Sequence, residues 1–304
     1  MKSSIILQTY VNFFKVFNQI IYMYKKTNLF YILLIFIGFS SFAQLSASSG
    51  KLFIIGGGKR TGSLMKSMLS TAQLRRDDFI IVLPMASEEP DSAFYYFQTS
   101  LKGLTTNSIA VLNFADGKMD PLRIDSIRKA RLIFIAGGDQ SRFMKSVLHT
   151  PVFTAIHFAY EHGATIAGTS AGAAVMSKYM ITGNEIADTV YHETFRRVWT
   201  NNLQVEEGLG LLPNAIIDQH FIVRSRYNRL ITALAKYPRM PCIGIDESTA
   251  IIVNGSDITV AGEGQVVLLA HPHNLKIVDN KLIKFQDIQL SIFTAGDHFK
   301  LINK

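Results

Sequence analysis

The stretch Ala164-Thr165-Ile166-Ala167-Gly168-Thr169-Ser170-Ala171-Gly172-Ala173-Ala174 begins as an apolar strand, turns sharply at Gly168-Thr169-Ser170-Ala171-Gly172, and leaves as a small-residue helix. That is the G-x-S-x-G pattern of a nucleophile elbow. A serine on a tight strand-to-helix turn has its hydroxyl held up out of the backbone. The helix N-terminus beneath it offers unpaired N–H groups and a positive dipole end to a developing oxyanion.

Working outward, the same rhythm repeats. Residues 51–55 form an apolar strand that runs into Gly56-Gly57-Gly58-Lys59-Arg60, and residues 61–74 carry helical spacing, with Leu64, Met68 and Leu69 on one face. A glycine turn between strand and helix can cradle phosphate, but neither G-x-G-x-x-G nor Gly-Lys-Ser/Thr is present. It is an ordinary strand-to-helix turn at a sheet edge, where ligands of any kind tend to sit. Strands are expected at 79–85, 108–114 and 131–136, with helices at 91–104 (capped by Asp91), 124–129, 141–148 and 153–161. Continuous apolar strands alternating with helices imply a mostly parallel sheet covered on both faces, a three-layer doubly wound α/β fold.

Downstream, 181–207 is polar and marks an irregular loop beside the elbow, containing Trp199, the only tryptophan. A strand at 215–218 leads into Gln219-His220-Phe221 and the basic run Arg224-Ser225-Arg226-Tyr227-Asn228-Arg229, then a helix to about residue 236. Two short strands flank the polar turn Asp246-Glu247-Ser248. Asn254-Gly255 signals a hairpin, and β-hairpins to the C-terminus close the sheet edge.

The chain has 304 residues and is 48% hydrophobic, enough for one large domain, expected over 50–304. One cysteine, Cys242, excludes an intramolecular disulfide and is expected in the core. No Cys/His spacing suggests a metal site. Residues 1–44 hold Lys2, Lys15, Lys25 and Lys26, four of the 31 basic residues, and no acid. Without them the balance is 27 basic against 23 acidic residues, too mild for a nucleic-acid partner. From Met23, a basic start, an apolar run at 29–39 and the small residues Ser41 and Ala43 give a cleavable signal peptide over 1–43. Residues 1–22 are either an upstream start-site misassignment or an extended basic region. The protein is then expected to be exported, with no membrane association after processing. Oligomeric state is open, a homodimer being one expectation.

Three polar groups stand at strand ends, Ser170, His220 and Glu247, and in a parallel sheet such ends converge on one edge. A serine hydroxyl needs a base, imidazole suits that task, and the imidazole needs a carboxylate to fix its tautomer. Asp218 lies two residues before His220 and faces the same way in an extended chain. It can orient the histidine or hold substrate, whereas Asp246 points the other way.

Gly137-Gly138-Asp139-Gln140, the elbow, Asp218-Gln219-His220-Phe221 with its arginines, and Gly244-Ile245-Asp246-Glu247-Ser248-Thr249-Ala250 together resemble cyanophycinases. Those are serine peptidases related in fold to aspartyl dipeptidase E and class I glutamine amidotransferases, flavodoxin-like in architecture. The resemblance spans about residues 50–270 with the motifs in the same order. It implies a Ser170–His220–Glu247 triad and no cofactor. It also implies a substrate site lined by Gln140, Asp218, Arg224, Arg226 and Arg229. The implied substrate is cyanophycin, a polymer rich in Asp and Arg, cleaved to β-aspartyl-arginine. The oxyanion hole is expected from the backbone of Ala171, Gly137 and Gly138. Clustered arginines suit carboxylates, and a solvated helix start is the alternative for them. The long polar segment between Ser170 and His220 departs from the family pattern. It leaves a related aspartyl or β-aspartyl dipeptidase as the second reading, and a non-catalytic binding protein as the third.

Overall fold

In the computed structural model, the described residues are 50–187, 190 and 192–301, with 18, 19 and 22. The leader expected over 1–43 and its cleavage point lie outside them, apart from those three. Among the described residues, no helix is long and apolar enough to cross a membrane.

Ser48–Lys304 forms one compact unit. In chain order it contains β1 (Lys51–Ile55), α1 (Gly62–Ala72), β2 (Phe79–Leu83), α2 (Pro90–Ser100), β3 (Ser108–Val111), α3 (Pro121–Lys129) and β4 (Leu132–Ile135). Next come α4 (Gln140–Val147), α5 (Pro151–Glu161), β5 (Thr165–Thr169), α6 (Ala171–Ala174), β6 (Tyr179–Glu185), β7 (Leu203–Glu207), β8 (Ile216–Gln219) and α7 (Tyr227–Lys236). The chain ends with β9 (Cys242–Ile245), β10 (Thr249–Asn254), β11 (Asp257–Gly262), β12 (Val266–His273), β13 (Lys276–Val278), β14 (Leu282–Lys284), β15 (Asp287–Phe293) and β16 (His298–Lys300).

Five parallel strands, in the order β1-β5-β4-β2-β3, make the centre of the main sheet. The period of two along each strand divides its side chains between two cores. Leu52 and Ile54 of β1, with Ile133 and Ile135 of β4, face α3, α4 and α5. Phe53, Ile55, Leu132 and Phe134 face α1 and α2, through Leu64, Met65, Met68 and Phe97. The central strands are apolar throughout because both faces are covered. Thr61, Asp120, Asp139 and Thr150 cap their helices by accepting first-turn N–H groups.

The structure departs from the sequence reading in five places. The strand ends do not share one sheet. β8 and β9 belong to a second sheet, β15-β12-β9-β8, with α7 packed on one face of it. The turn 246–248 carries the chain from that sheet to β10, which pairs antiparallel with β1. The helix after the elbow is a single turn, α6, so its dipole is small. Asp91 is inside the first turn of α2; Glu89 holds the cap position and makes no side-chain cap bond. The segment 181–207 is only partly irregular, because β6 and β7 form a hairpin. The β10–β11 turn also sits one residue later than expected, at Gly255-Ser256 between paired Asn254 and Asp257.

Candidate active site

Ser170 follows β5, His220 follows β8 and Glu247 follows β9, so two sheets contribute. Ser170 has φ +53° and ψ −111°, and His220 has φ +48°. Both conformations are uncommon for residues with a Cβ and need surrounding bonds to hold them. Those bonds come from the turn after β1. Ile55 O accepts from Ser170 N at 3.1 Å and Gly56 O accepts from His220 N at 2.7 Å. Asp246 Oδ1 accepts from the amides of Ile222 and Val223, each at 3.1 Å, and fastens the turn after His220.

The side chains meet. Ser170 Oγ lies 2.8 Å from His220 Nε2, and His220 Nδ1 lies 2.6 Å from Glu247 Oε1. A carboxylate can only accept here, so Nδ1 carries the hydrogen and Nε2 is left to take the serine proton. The imidazole pKa is held below its ordinary value. Burial is the main cause, the Glu247 bond opposes it, and the Arg224 and Arg226 charges add to it. A neutral imidazole is the form that acts as a base. Ala171, Gly137 and Gly138 each have an N–H without a backbone acceptor among the described residues. Gly137 stands against the serine: a Cβ there would be 3.3 Å from Ser170 Cβ.

Beside Ser170 lies a cleft of about 250 Å³, bordered by Gln140, Gly183, Asn184, Gln219 and the three arginines. The candidate binding residues behave differently within it. Gln140 is 6% exposed, and its amide donates to Ile181 O at 2.9 Å and Thr182 O at 2.6 Å, tying β6 over the cleft. Asp218 is 1% exposed and does not reach the cleft. Its carboxylate accepts from Arg229 Nε at 2.8 Å and from Arg229 Nη2, with Arg226 Nη1 at 3.8 Å. Both arginines are buried, and Arg226 also donates to Gln219 O at 2.7 Å. An Asp218 side chain holding substrate is therefore corrected to a buried counter-ion, because a carboxylate away from water takes the nearest guanidiniums. Nor does it touch His220. Arg224 remains a third exposed, with the Glu193 carboxylate 3.6 Å from its Nε.

The profile of peptidase family S51 matches residues 52–261. The chain belongs to peptidase family S51. It is a serine-type peptidase. The cyanophycinases of Trichormus variabilis and of a Nostoc species are each 31% identical to it over 236 and 235 residues, covering 74% of this chain and 76% of each relative. That of Geminocystis herdmanii is 29% identical over 232 residues, 73% of this chain and 82% of the relative. Among solved structures, a peptidase from an acI-B1 actinobacterium superposes with TM-score 0.58 at 21% identity, over 83% of this chain and 96% of that one. A putative peptidase E protein from Listeria monocytogenes superposes with TM-score 0.50 at 18% identity, over 71% and 99%. These two likenesses concern the fold.

Two features of this S51 peptidase's cleft escaped the sequence reading. Thr182, Gly183 and Asn184 form a wall, yet they sit in the polar segment taken as loop. The short apolar run Tyr179-Met180-Ile181 just before them was the available signal. Gln219 borders the cleft and accepts from Arg226 at 2.5 Å through Oε1. Its place beside His220 was its only mark in the sequence.

Proposed function

We propose that this S51 peptidase hydrolyses cyanophycin, releasing β-aspartyl-arginine dipeptides, through Ser170, His220 and Glu247. The observation that carries the reading is the unbroken chain from Ser170 Oγ to His220 at 2.8 Å and from His220 to Glu247 at 2.6 Å. Relatives bearing the name cyanophycinase, similar over three quarters of their length, supply the substrate.

In this mechanism Ser170 Oγ attacks the scissile carbonyl as its proton passes to His220 Nε2. The tetrahedral oxyanion is met by the amides of Ala171, Gly137 and Gly138. Glu247 stabilises the imidazolium and keeps its orientation. His220 then protonates the leaving amine, giving an acyl-serine. Water, deprotonated by His220, releases the acid and restores the serine. Arg224 is the guanidinium placed to take a substrate carboxylate, while Arg226 and Arg229, held by Asp218, form the rigid base of the cleft. Residues 50–304 act as one catalytic domain, exported behind a leader removed near Gln44.

Incubation of the mature protein with cyanophycin and with short aspartyl peptides, followed by mass identification of the products, tests this. β-Aspartyl-arginine from the polymer is expected. Cleavage of Asp-X dipeptides alone would replace the reading with an aspartyl dipeptidase. Intact-mass measurement from the producing cell tests the leader.

A further inference from the structure

The Gly56-Gly57-Gly58 turn after β1 has no part in the chemistry above. Its carbonyl groups, with that of Ile55, nonetheless hold the three segments that carry Ser170, His220 and Glu247. Ile55 O accepts from Ser170 N at 3.1 Å, Gly56 O from His220 N at 2.7 Å, and Gly57 O from Ser248 N at 2.9 Å. Gly56 N donates to Thr249 O at 2.9 Å. Three consecutive carbonyls thus bind three segments drawn from two sheets.

The side-chain space of the turn is also filled. A Cβ on Gly57 would lie 2.2 Å from His220 Cε1, 2.5 Å from Nε2 and 2.7 Å from Nδ1, so the imidazole covers the glycine's bare face. A Cβ on Gly58 would lie 2.6 Å from Glu247 Cβ and 2.8 Å from Glu247 Oε2. Both glycines have positive φ, +121° and +70°, which side chains other than hydrogen seldom adopt.

We infer that Gly57 and Gly58 are positioning residues: their bare backbone is the seat that sets the imidazole between Ser170 Oγ and the Glu247 carboxylate. The inference rests on the proposed triad. Carbon atoms need about 3.5 Å between them, so alanine at 57 displaces the ring by about 1 Å or more. Misplacement of that size costs on the order of 10²-fold.

The test is Gly57→Ala, measured as kcat and KM on the aspartyl substrate and as hydrolysis of an activated ester. We expect kcat to fall about 10²-fold on both substrates, with KM nearly unchanged because the cleft wall lies elsewhere. Gly103→Ala places a side chain on another positive-φ backbone, at φ +76° (close to the +70° of Gly58) with nothing within 4 Å, and should keep full activity. Gly57→Ala in a His220→Ala background should add nothing to the loss, since the residual rate then comes from the oxyanion hole and binding. A wild-type kcat in Gly57→Ala, or an equal further loss in the His220→Ala background, overturns the inference. If Gly57→Ala does not fold, Gly58→Ala takes its place. It should lower kcat and weaken the low-field proton NMR signal of the Nδ1–Glu247 bond, and retention of both overturns the inference. Full activity in His220→Ala alone would instead sink the triad reading and leave the seat without a purpose.

Discussion

Replacing Asp218 by Asn separates a buried counter-ion from a substrate ligand. The substitution keeps the side-chain shape and removes the charge. Arg229, 2% exposed, then loses the carboxylate that takes its Nε at 2.8 Å, and Arg226 loses a charge at 3.8 Å. The amide also turns two N–H donors toward guanidinium donors. Breaking a buried pair by removing one partner costs about 3–5 kcal/mol. In a domain of this size each kcal/mol moves the melting temperature by about 2–4 °C, so a fall of roughly 6–20 °C is expected. Thermal unfolding of Asp218→Asn, followed by circular dichroism, measures it. The paired change Asp218→Leu with Arg229→Met should recover much of the loss, because an apolar pair of similar volume carries no desolvation penalty. A melting temperature within about 2 °C of the wild type, together with a KM raised tenfold or more, would refute this placement and return Asp218 to the substrate.

Ser170→Ala should lower kcat on the order of a million-fold while leaving the melting temperature unchanged; even a tenth of wild-type activity would remove Ser170 from the mechanism. Arg224→Lys should lose about tenfold to a hundredfold in kcat/KM on β-aspartyl-arginine substrates and leave activated-ester hydrolysis intact. Arg226→Lys and Arg229→Lys should instead lower the melting temperature, and the reverse pattern would show that Arg224 is not the substrate cation. Activity needs His220 neutral, and its pKa lies below the ordinary 6.5. Protonation therefore silences the enzyme only at lower pH, so the acid limb of the kcat/KM profile should fall below 6.5; a limb above that value contradicts the burial of the ring.

The two-sheet arrangement was hidden for a simple reason. The strand at 242–245 and the start of that at 216–219 are apolar like those of the main sheet, and pattern reports burial, not which neighbour is paired. The single-turn α6 was hidden likewise, since a small-residue run can propagate as helix or stop. The 181–207 segment was legible only in its polarity, because its strands form a hairpin in which only Met180, Ile181, Gly183 and Leu203 are buried.

The sequence alone determined the central α/β layers, the elbow and its chain order, and the identity of the serine, histidine and glutamate at the strand ends. Those rest on local chemistry: apolar runs, caps, and glycines where a turn must be tight. Tertiary structure decided which charges are available. Asp218 is taken by Arg229, with Arg226 at 3.8 Å, because burial leaves a carboxylate no water and makes the nearest guanidinium its partner, whereas Arg224, two residues before Arg226, stays a third exposed at the cleft. It also decided what the first glycine turn does. Gly57 is 163 residues from His220 in the chain, and only the packing of two sheets lays the imidazole on it.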